Sequence, residues 1–397
     1  MNASNIESFN AAAMEAVNAM PAPTWHRLRV NNEKIGLPSG LEPSSDIELS
    51  IDNIELGESG AFDSALSTFQ QKLDARNEGT VDTRAVVVAA AGNENPENLD
   101  IPALSSYQRK AVLEEIENSV SKAFETGMGT EAFAYLESVS DGHLVLVAPE
   151  KAVGSATVRI SAKDGMANAA CVDVVAAPHS NVSLTISFEG SSRGSGFAGC
   201  GLRVFAGVGA EVEVSSIQAL DGCWTVFDDS GYVLDDDAHV AVTHRVLGAD
   251  SASTGLSADL RGNQSRIDVV TRYLGAEKQK RDFNYSIKQR GCLTESNLDA
   301  NGVLAGESKK TLRGTIDFVH GCKGSTRETV LLADKNVVNK TVPVILCDED
   351  DVMGNHGATI GHVRPEQHFY LSCRGLSDKA FESLFAVAAL EEAHMAF

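Results

Sequence analysis

Apolar and polar residues change places in short runs from about His143 to about Val363, and Gly, Asn, Asp and Ser punctuate the runs. Val182, Leu184, Ile186 and Phe188 alternate with Ser and Thr, the two-residue period of a strand with one buried face. Similar runs occur at Leu202–Val204, Val212–Val214, Val240–Val242, Ile267–Val269, Ile316–Phe318, Val330–Leu332 and Val344–Leu346. Helical periodicity is almost absent from the stretch. Strands in such number must bury their apolar sides on one another, so a sandwich, a barrel or a solenoid is required. Their spacing is irregular, and spacing alone does not single out the solenoid.

Either side of this body the period changes. Ile6, Phe9, Ala13, Val17 and Met20 recur at helical intervals, with Ser4 and Glu7 as a capping box and Pro21 as a stop. Phe62, Leu66, Phe69 and Leu73 predict a second helix, Val86–Ala91 a buried strand, and Leu113, Ile116, Val120 and Phe124 a third helix closed by Gly127. A shorter helix is expected around Phe133 and Leu136. Beyond Pro365 the helical pattern returns, and Ser377 or Asp378 can cap a last helix carrying Phe381, Leu384, Phe385 and Ala388.

Charge narrows the partners. Lys and Arg total 33 against 55 Asp and Glu, a formal net charge of −22. So acidic a surface repels phosphate backbones and anionic lipid, so neither nucleic acid nor a membrane is expected as partner. No run reaches the length that spans a bilayer, and Met1–Met20 lacks the basic start and apolar stretch of a signal peptide. The seven cysteines lie at least 20 residues apart, which suits reduced thiols in a cytoplasmic protein rather than disulfides or a zinc knuckle.

Several motifs invite chemistry. Gly194-Ser195-Gly196-Phe197-Ala198-Gly199 has the dinucleotide-loop spacing, but strand-like alternation follows where a helix is needed, so a turn region is expected. No phosphate-binding GxxxxGK[ST] loop occurs, and the chain is expected to have no nucleotide site of its own. Asp235–Asp237, near Asp228 and Asp229, reads either as an acidic turn or as a calcium or carbohydrate-processing cluster. His356, His362 and His368 recur every six residues, which in a strand puts them on one side, but Gly354, Gly357, Gly361 and Pro365 argue against a regular element. His356 follows the acidic run Asp348–Asp351, and Cys347 and Cys322 lie in or beside strands nearby. A buried cysteine is usually a small apolar residue, and an exposed thiolate is a ligand for sulfur or iron.

From Leu312 to Leu376 the chain resembles the C-terminal core of the SufB/SufD family of iron–sulfur assembly proteins. The resemblance rests on Asn339-Lys340-Thr341 before Pro343, Asp350-Asp351-Val352, His356-Gly357-Ala358-Thr359-Ile360-Gly361, Phe369-Tyr370-Leu371 and Arg374-Gly375-Leu376. Pro23–Leu28 is a weaker echo of the family's N-terminal stretch. Gly357 stands where SufB-type chains usually carry glutamate, so the resemblance is SufD-like. Gly354 stands where the family often has cysteine.

The resemblance implies a mainly β fold: a right-handed parallel β-helix core with a helical N-terminal region and a short helical C-terminal one. The corresponding division is 1–142, 143–365 and 366–397, the last docking a SufC-type ABC ATPase through Arg374, Gly375, Phe381, Leu384 and Phe385. It further implies a non-enzymatic scaffold subunit whose β-helix end meets a SufB-type scaffold or a second copy. ATP-driven movement of the motor opens that seam, where a transient iron–sulfur cluster assembles. His356 is the implied iron ligand or proton handler, and Cys347 or Cys322 the implied thiol. The alternative is an extracellular-type β-solenoid that binds or processes carbohydrate through Asp235–Asp237.

Overall fold

The computed structural model describes residues 13–21, 30–77 except 39 and 45, 124–362 except 191 and 192, 365–377 and 380. Sixteen strands follow one another from His143 to His362. They are β6 His143–Ala148, β7 Val153–Ala162, β8 Met166–Ala176, β9 Asn181–Gly190, β10 Gly194–Ala206, β11 Glu211–Gln218, β12 Gly222–Leu234, β13 His239–Val246, β14 Ser251–Leu260, β15 Arg266–Gly275, β16 Lys280–Gln289, β17 Glu295–Leu304, β18 Lys309–Phe318, β19 Lys323–Leu332, β20 Val338–Cys347 and β21 Met353–His362. Even-numbered strands form one parallel sheet and odd-numbered strands the other, so the chain winds as a β-solenoid with two strands per turn.

Register gives the coil its length. Asn181, Glu211, His239, Arg266, Glu295, Lys323 and Met353 stack in one column, at steps of 30, 28, 27, 29, 28 and 30 residues. One corner repeats a four-residue turn whose third residue has positive φ: Lys151, His179, Gly209, Asp237, Gln264 and Leu293. Backbone bonds such as Ser180 N–H to Ala177 O and Ala238 N–H to Asp235 O close it. The turn needs a left-handed residue rather than a particular side chain, so it leaves little trace in the sequence.

The two sheets differ in what covers them. On β9, β11 and β13 buried residues alternate with less buried ones, the inner row including Val182, Leu184, Ile186, Val212, Val214, Val240 and Val242. On β8 and β12 both faces are covered along most of the strand. Outside β8, β10 and β12 lies the helix Thr130–Val139, whose Ala132, Tyr135 and Leu136 pack on Ala167, Ala169, Phe197 and Phe227. The rings of Tyr135, Phe197 and Phe227 meet edge to face, Tyr135–Phe197 at 4.9 Å and Phe197–Phe227 at 5.1 Å. Each such buried ring contributes about 1.5–3 kcal/mol.

The helix expected to end at Met20 is a strand where it is described. Ala13–Val17 (β1) pairs antiparallel with Glu33–Gly36 (β2). Met14, Val17 and Ile35 pack with Met128, Tyr135 and Leu136, and this tertiary contact outweighs the local period. Ile6 and Phe9 lie outside the described residues, as do the expected strand Val86–Ala91 and the helix around Leu113–Val120. Glu42–Ser44 (β3), Ile47–Asp52 (β4) and Glu55–Leu56 (β5) pair with β8, β7 and β6, which covers the first coil. The helix Ala61–Asn77 follows, as the period of Phe62, Leu66, Phe69 and Leu73 predicts. The chain divides into two compact units, Met1–Phe62 with Thr126–Phe397, and Asp63–Glu125.

Gly194–Gly199 is strand, not a turn, and no helix follows it. The glycines make room for a neighbour: a Cβ on Gly194 would lie 2.7 Å from Cζ2 of the Trp224 ring, and one on Gly199 would lie 2.3 Å from Leu136 Cδ2. Asp235–Asp237 form a turn between β12 and β13, whereas Asp228 and Asp229 lie buried within β12 on opposite faces.

Candidate functional site

Strands β20 and β21 end their sheets. Among the described residues each pairs on one side only, β20 with β18 and β21 with β19, so both present an edge that no described strand covers. An unpaired edge is a template for another chain. Pro343 sits within β20, where only an edge strand readily tolerates a missing N–H.

Parity and register place the side chains. Gly324, Thr326, Glu328 and Val330 of β19 are all buried, and above them stand Gly354, His356, Ala358 and Ile360 of β21. These four occupy the inward column, and all four, His356 included, are exposed because no coil among the described residues covers them. On β20 the inward column is Asn339, Thr341, Pro343, Ile345 and Cys347, stacked on Lys310, Leu312, Gly314, Ile316 and Phe318. His356 and Cys347 are thus exposed residues at the mouth of the solenoid, on opposite sheets.

The expectation that glycines would break the chain around the histidines is overturned, since Met353–His362 is one continuous strand. Pairing with β19 along its whole length holds it extended. His356 and His362 share a side of it, and His368 belongs to the helix Pro365–Cys373. Among the described residues no three His, Cys, Asp or Glu side chains group as a metal site.

The two thiols differ. Cys347 is exposed, and its Sγ donates to Glu349 O at 3.0 Å in the acidic turn that leads to β21. Cys322 is buried with Ile316 and Phe318 just before β19. Burial pushes its thiol up to about 12, so it rests protonated.

The outer face of β20 is buttressed. Met20 and Val30 pack on Val342 and Val344. Buried beneath them, Arg313 of β18 donates through Nη1 to Asp282 Oδ1 at 2.7 Å and through Nε to the Val30 carbonyl. Asn18 Nδ2 reaches the same Asp282 oxygen at 2.6 Å. Sequence reasoning missed this clamp because its partners lie 31 and 264 residues from Asp282.

Beyond the mouth, the helix Pro365–Cys373 closes at Gly375, which has φ +86°. Leu376 N–H bonds Leu371 O at 3.2 Å and Gly375 N–H bonds Ser372 O at 3.0 Å, the paired C-cap that glycine favours. Arg374 lies over the Tyr370 ring at 5.1 Å, and Phe369 and Tyr370 are exposed. Ser377 Oγ accepts from Ala380 N–H at 3.3 Å, the bond of a helix N-cap. Phe381, Leu384 and Phe385 lie outside the described residues.

Among the described residues, the parallel solenoid is closed by added strands at its first coil and has none over its last. Residues 158–388 match the family described as SUF system FeS cluster assembly, SufBD core domain, and the chain belongs to that family. It is 25% identical to the iron–sulfur cluster assembly protein SufD of Bacillus subtilis over 186 residues, 46% of this chain and 43% of that one. It is 29% identical to a SufBD family protein of Mycobacterium leprae over 122 residues, 30% of this chain and 14% of that one. A chloroplastic SufBD family protein of Arabidopsis thaliana is 24% identical over 187 residues, 44% of this chain and 33% of that one. The chain thus spans less than half the length of these relatives. Among the described residues, no helix is long and apolar enough to cross a membrane.

Proposed function

We propose that this chain is a SufD-like scaffold subunit of a cytoplasmic SUF assembly complex, with no turnover of its own. Its open solenoid end meets a SufB-type scaffold or a second copy, and the nascent iron–sulfur cluster is the cargo held transiently at that seam. The observation that carries this reading is the exposed, inward-column position of His356 on the edge strand β21. An imidazole there can ligate iron or carry a proton near neutral pH. Cys347 supplies a thiol on the facing sheet, with Cys322 in the apolar cluster beneath, and Asp348–Asp351 lend the negative potential that draws a cation.

The helix Pro365–Cys373 and the segment after it are the docking piece for a SufC-type ABC ATPase. Exposed Phe369 and Tyr370 support this, with Arg374 and Gly375 at the turn and Phe381, Leu384 and Phe385 beyond. ATP-driven movement of the motor would then bear on the neighbouring seam.

Co-expression with SufB-type and SufC-type chains tests the reading. The complex should purify intact and accept a cluster under anaerobic reconstitution. His356→Ala should assemble equally well but lose the cluster. A variant that still delivers cluster in cells would leave the chain a structural partner only, and failure of the SufC-type chain to bind the full-length protein would remove the motor.

A further inference from the structure

The interior of the solenoid is apolar along most of its inner columns, yet beneath the open end it holds a buried charged group. Lys310 of β18 pairs with Glu328 of β19, and both side chains are almost wholly buried. Glu328 also accepts from Tyr273 Oη of β15 at 2.9 Å and from the Thr341 hydroxyl of β20. Lys310 Nζ lies 3.2 Å from Thr341 Oγ1 and 5.7 Å from the centre of the Tyr273 ring. Burial lowers the Lys310 pKa, as a dehydrated site requires.

The surrounding coils are shaped to admit this group. Ala300 lies below Glu328 in its column and Ala358 above it, which frees space for the carboxylate to lean across. A Cβ on Gly302 would lie 2.3 Å from the Tyr273 ring, so that glycine lets the ring rise toward β19. The group joins both sheets: Lys310 and Thr341 come from one, Tyr273 and Glu328 from the other.

Stability alone does not account for it. Well-packed apolar replacements for a buried ion pair are commonly neutral or stabilising, whereas directional pairs fix one arrangement among several. Thr341 belongs to the last strand of its sheet, and Glu328 to the strand that carries β21. The bond between them therefore ties the β20 edge to the strand that holds the β21 edge, at a set separation that apolar contacts, having no preferred direction, leave loose.

We propose that Tyr273, Lys310, Glu328 and Thr341 are positioning residues that set the spacing of the β20 and β21 edges for docking of a SufBD-type chain. This rests on the reading of the open end as the docking face, and the experiment separates the two. Sedimentation velocity is run on the full chain alone and with a SufB-type chain. If the wild type associates with neither, the docking reading falls and this inference with it.

If the wild type associates, the all-apolar variant Tyr273→Phe/Lys310→Met/Glu328→Leu/Thr341→Val should melt no lower than wild type yet bind about tenfold more weakly. Thr341→Val should weaken binding at least threefold, while Thr341→Ser, which keeps the hydroxyl, should bind as wild type. Less than a threefold loss in Thr341→Val, or an equal loss in Thr341→Ser, overturns the proposal. The Thr341 pair decides the matter alone if the fourfold variant does not fold.

Discussion

Arg203 grips Asp173 with two prongs, Nε at 2.7 Å from Oδ1 and Nη2 at 2.6 Å from Oδ2, across one coil of the solenoid. The Phe62 ring lies 4.6 Å from the Arg203 guanidinium, at the start of the helix Ala61–Asn77. His143 bridges the same Asp173, at 3.0 Å through Nδ1, to Glu137 of the helix Thr130–Val139, at 3.0 Å through Nε2. Through His143, one buried carboxylate thus ties the helix Thr130–Val139 to the sheet.

The bridge makes stability depend on pH. The hydrogen bond to Asp173 raises the His143 pKa, against burial, which lowers it. A raised imidazole contributes fully below its unfolded value of about 6.5, and the contribution fades as pH climbs through the folded value. His143→Gln should therefore cost more stability at pH 5.5 than at pH 8.5, read as the difference between the two proteins in urea unfolding. Equal costs at both values would show that the bridge is not ionic.

Asp229 should act in the opposite sense. It accepts from Met128 N–H at 2.8 Å, and burial pushes its carboxyl up to about 7. Folded, it stays neutral while the unfolded chain ionises above about pH 4, so wild type loses stability as pH rises from about 4 to about 7. Asp229→Asn keeps an acceptor for Met128 without that penalty. Relative to wild type it should gain on the order of 4 kcal/mol by pH 8, at 1.36 kcal/mol for each pKa unit. Thermal melts at pH 5 and pH 8 give the comparison.

The clamp under β20 should be sensitive to loss of its cation. Burial raises the Asp282 pKa and Arg313 opposes this. Arg313→Ala leaves Asp282 buried without its ion-pair partner, and a loss of about 3–5 kcal/mol is expected. Asn18→Ala, which removes one hydrogen bond to a charged group, should cost about 1.5–3 kcal/mol. Urea unfolding measures both, and proteolysis of the segment around Met20 and Val30 should quicken in step.

The unpaired edge can be blunted without touching the core. Ile360 is 53% exposed in the inward column of β21. Ile360→Lys places a charge where a partner's apolar surface would have to lie, a device that natural edge strands use against pairing. Unfolding stability should change by no more than about 0.5 kcal/mol, while association with a SufB-type chain or a second copy should be lost. Retained association on gel filtration would place the docking face elsewhere.

The strands legible in the sequence are mostly those with one wet face. Val182–Phe188, Val212–Val214, Val240–Val242 and Ile267–Val269 all fall on the odd-numbered sheet, whose outer side keeps Ser, Thr and charged residues. On β12 and β14 the outer positions are covered as well, and segments such as Gly222–Leu234 and Ser251–Leu260 lose the alternation that would announce them. The β1 strand carries a helical period in its sequence, and the reason is related. Met14 and Val17 bury against a helix more than 100 residues away, and no local period records that.

The site divides in the same way. His356 stands out by its family motif and Cys347 and Cys322 by residue type alone, so the sequence could nominate these residues without placing them. That His356 and Cys347 face the mouth of the solenoid from opposite sheets, while Cys322 turns into an apolar cluster, follows from strand parity and coil register. The Lys310–Glu328–Thr341 group and the Arg313–Asp282 clamp join residues from different coils. By itself the sequence determined a mainly β chain of the SufBD family with a histidine in its last strands. Tertiary structure decided which edges stay open and which charges are buried beneath them, because a residue's neighbours in a solenoid lie a whole coil away, at 26–30 positions that vary from turn to turn.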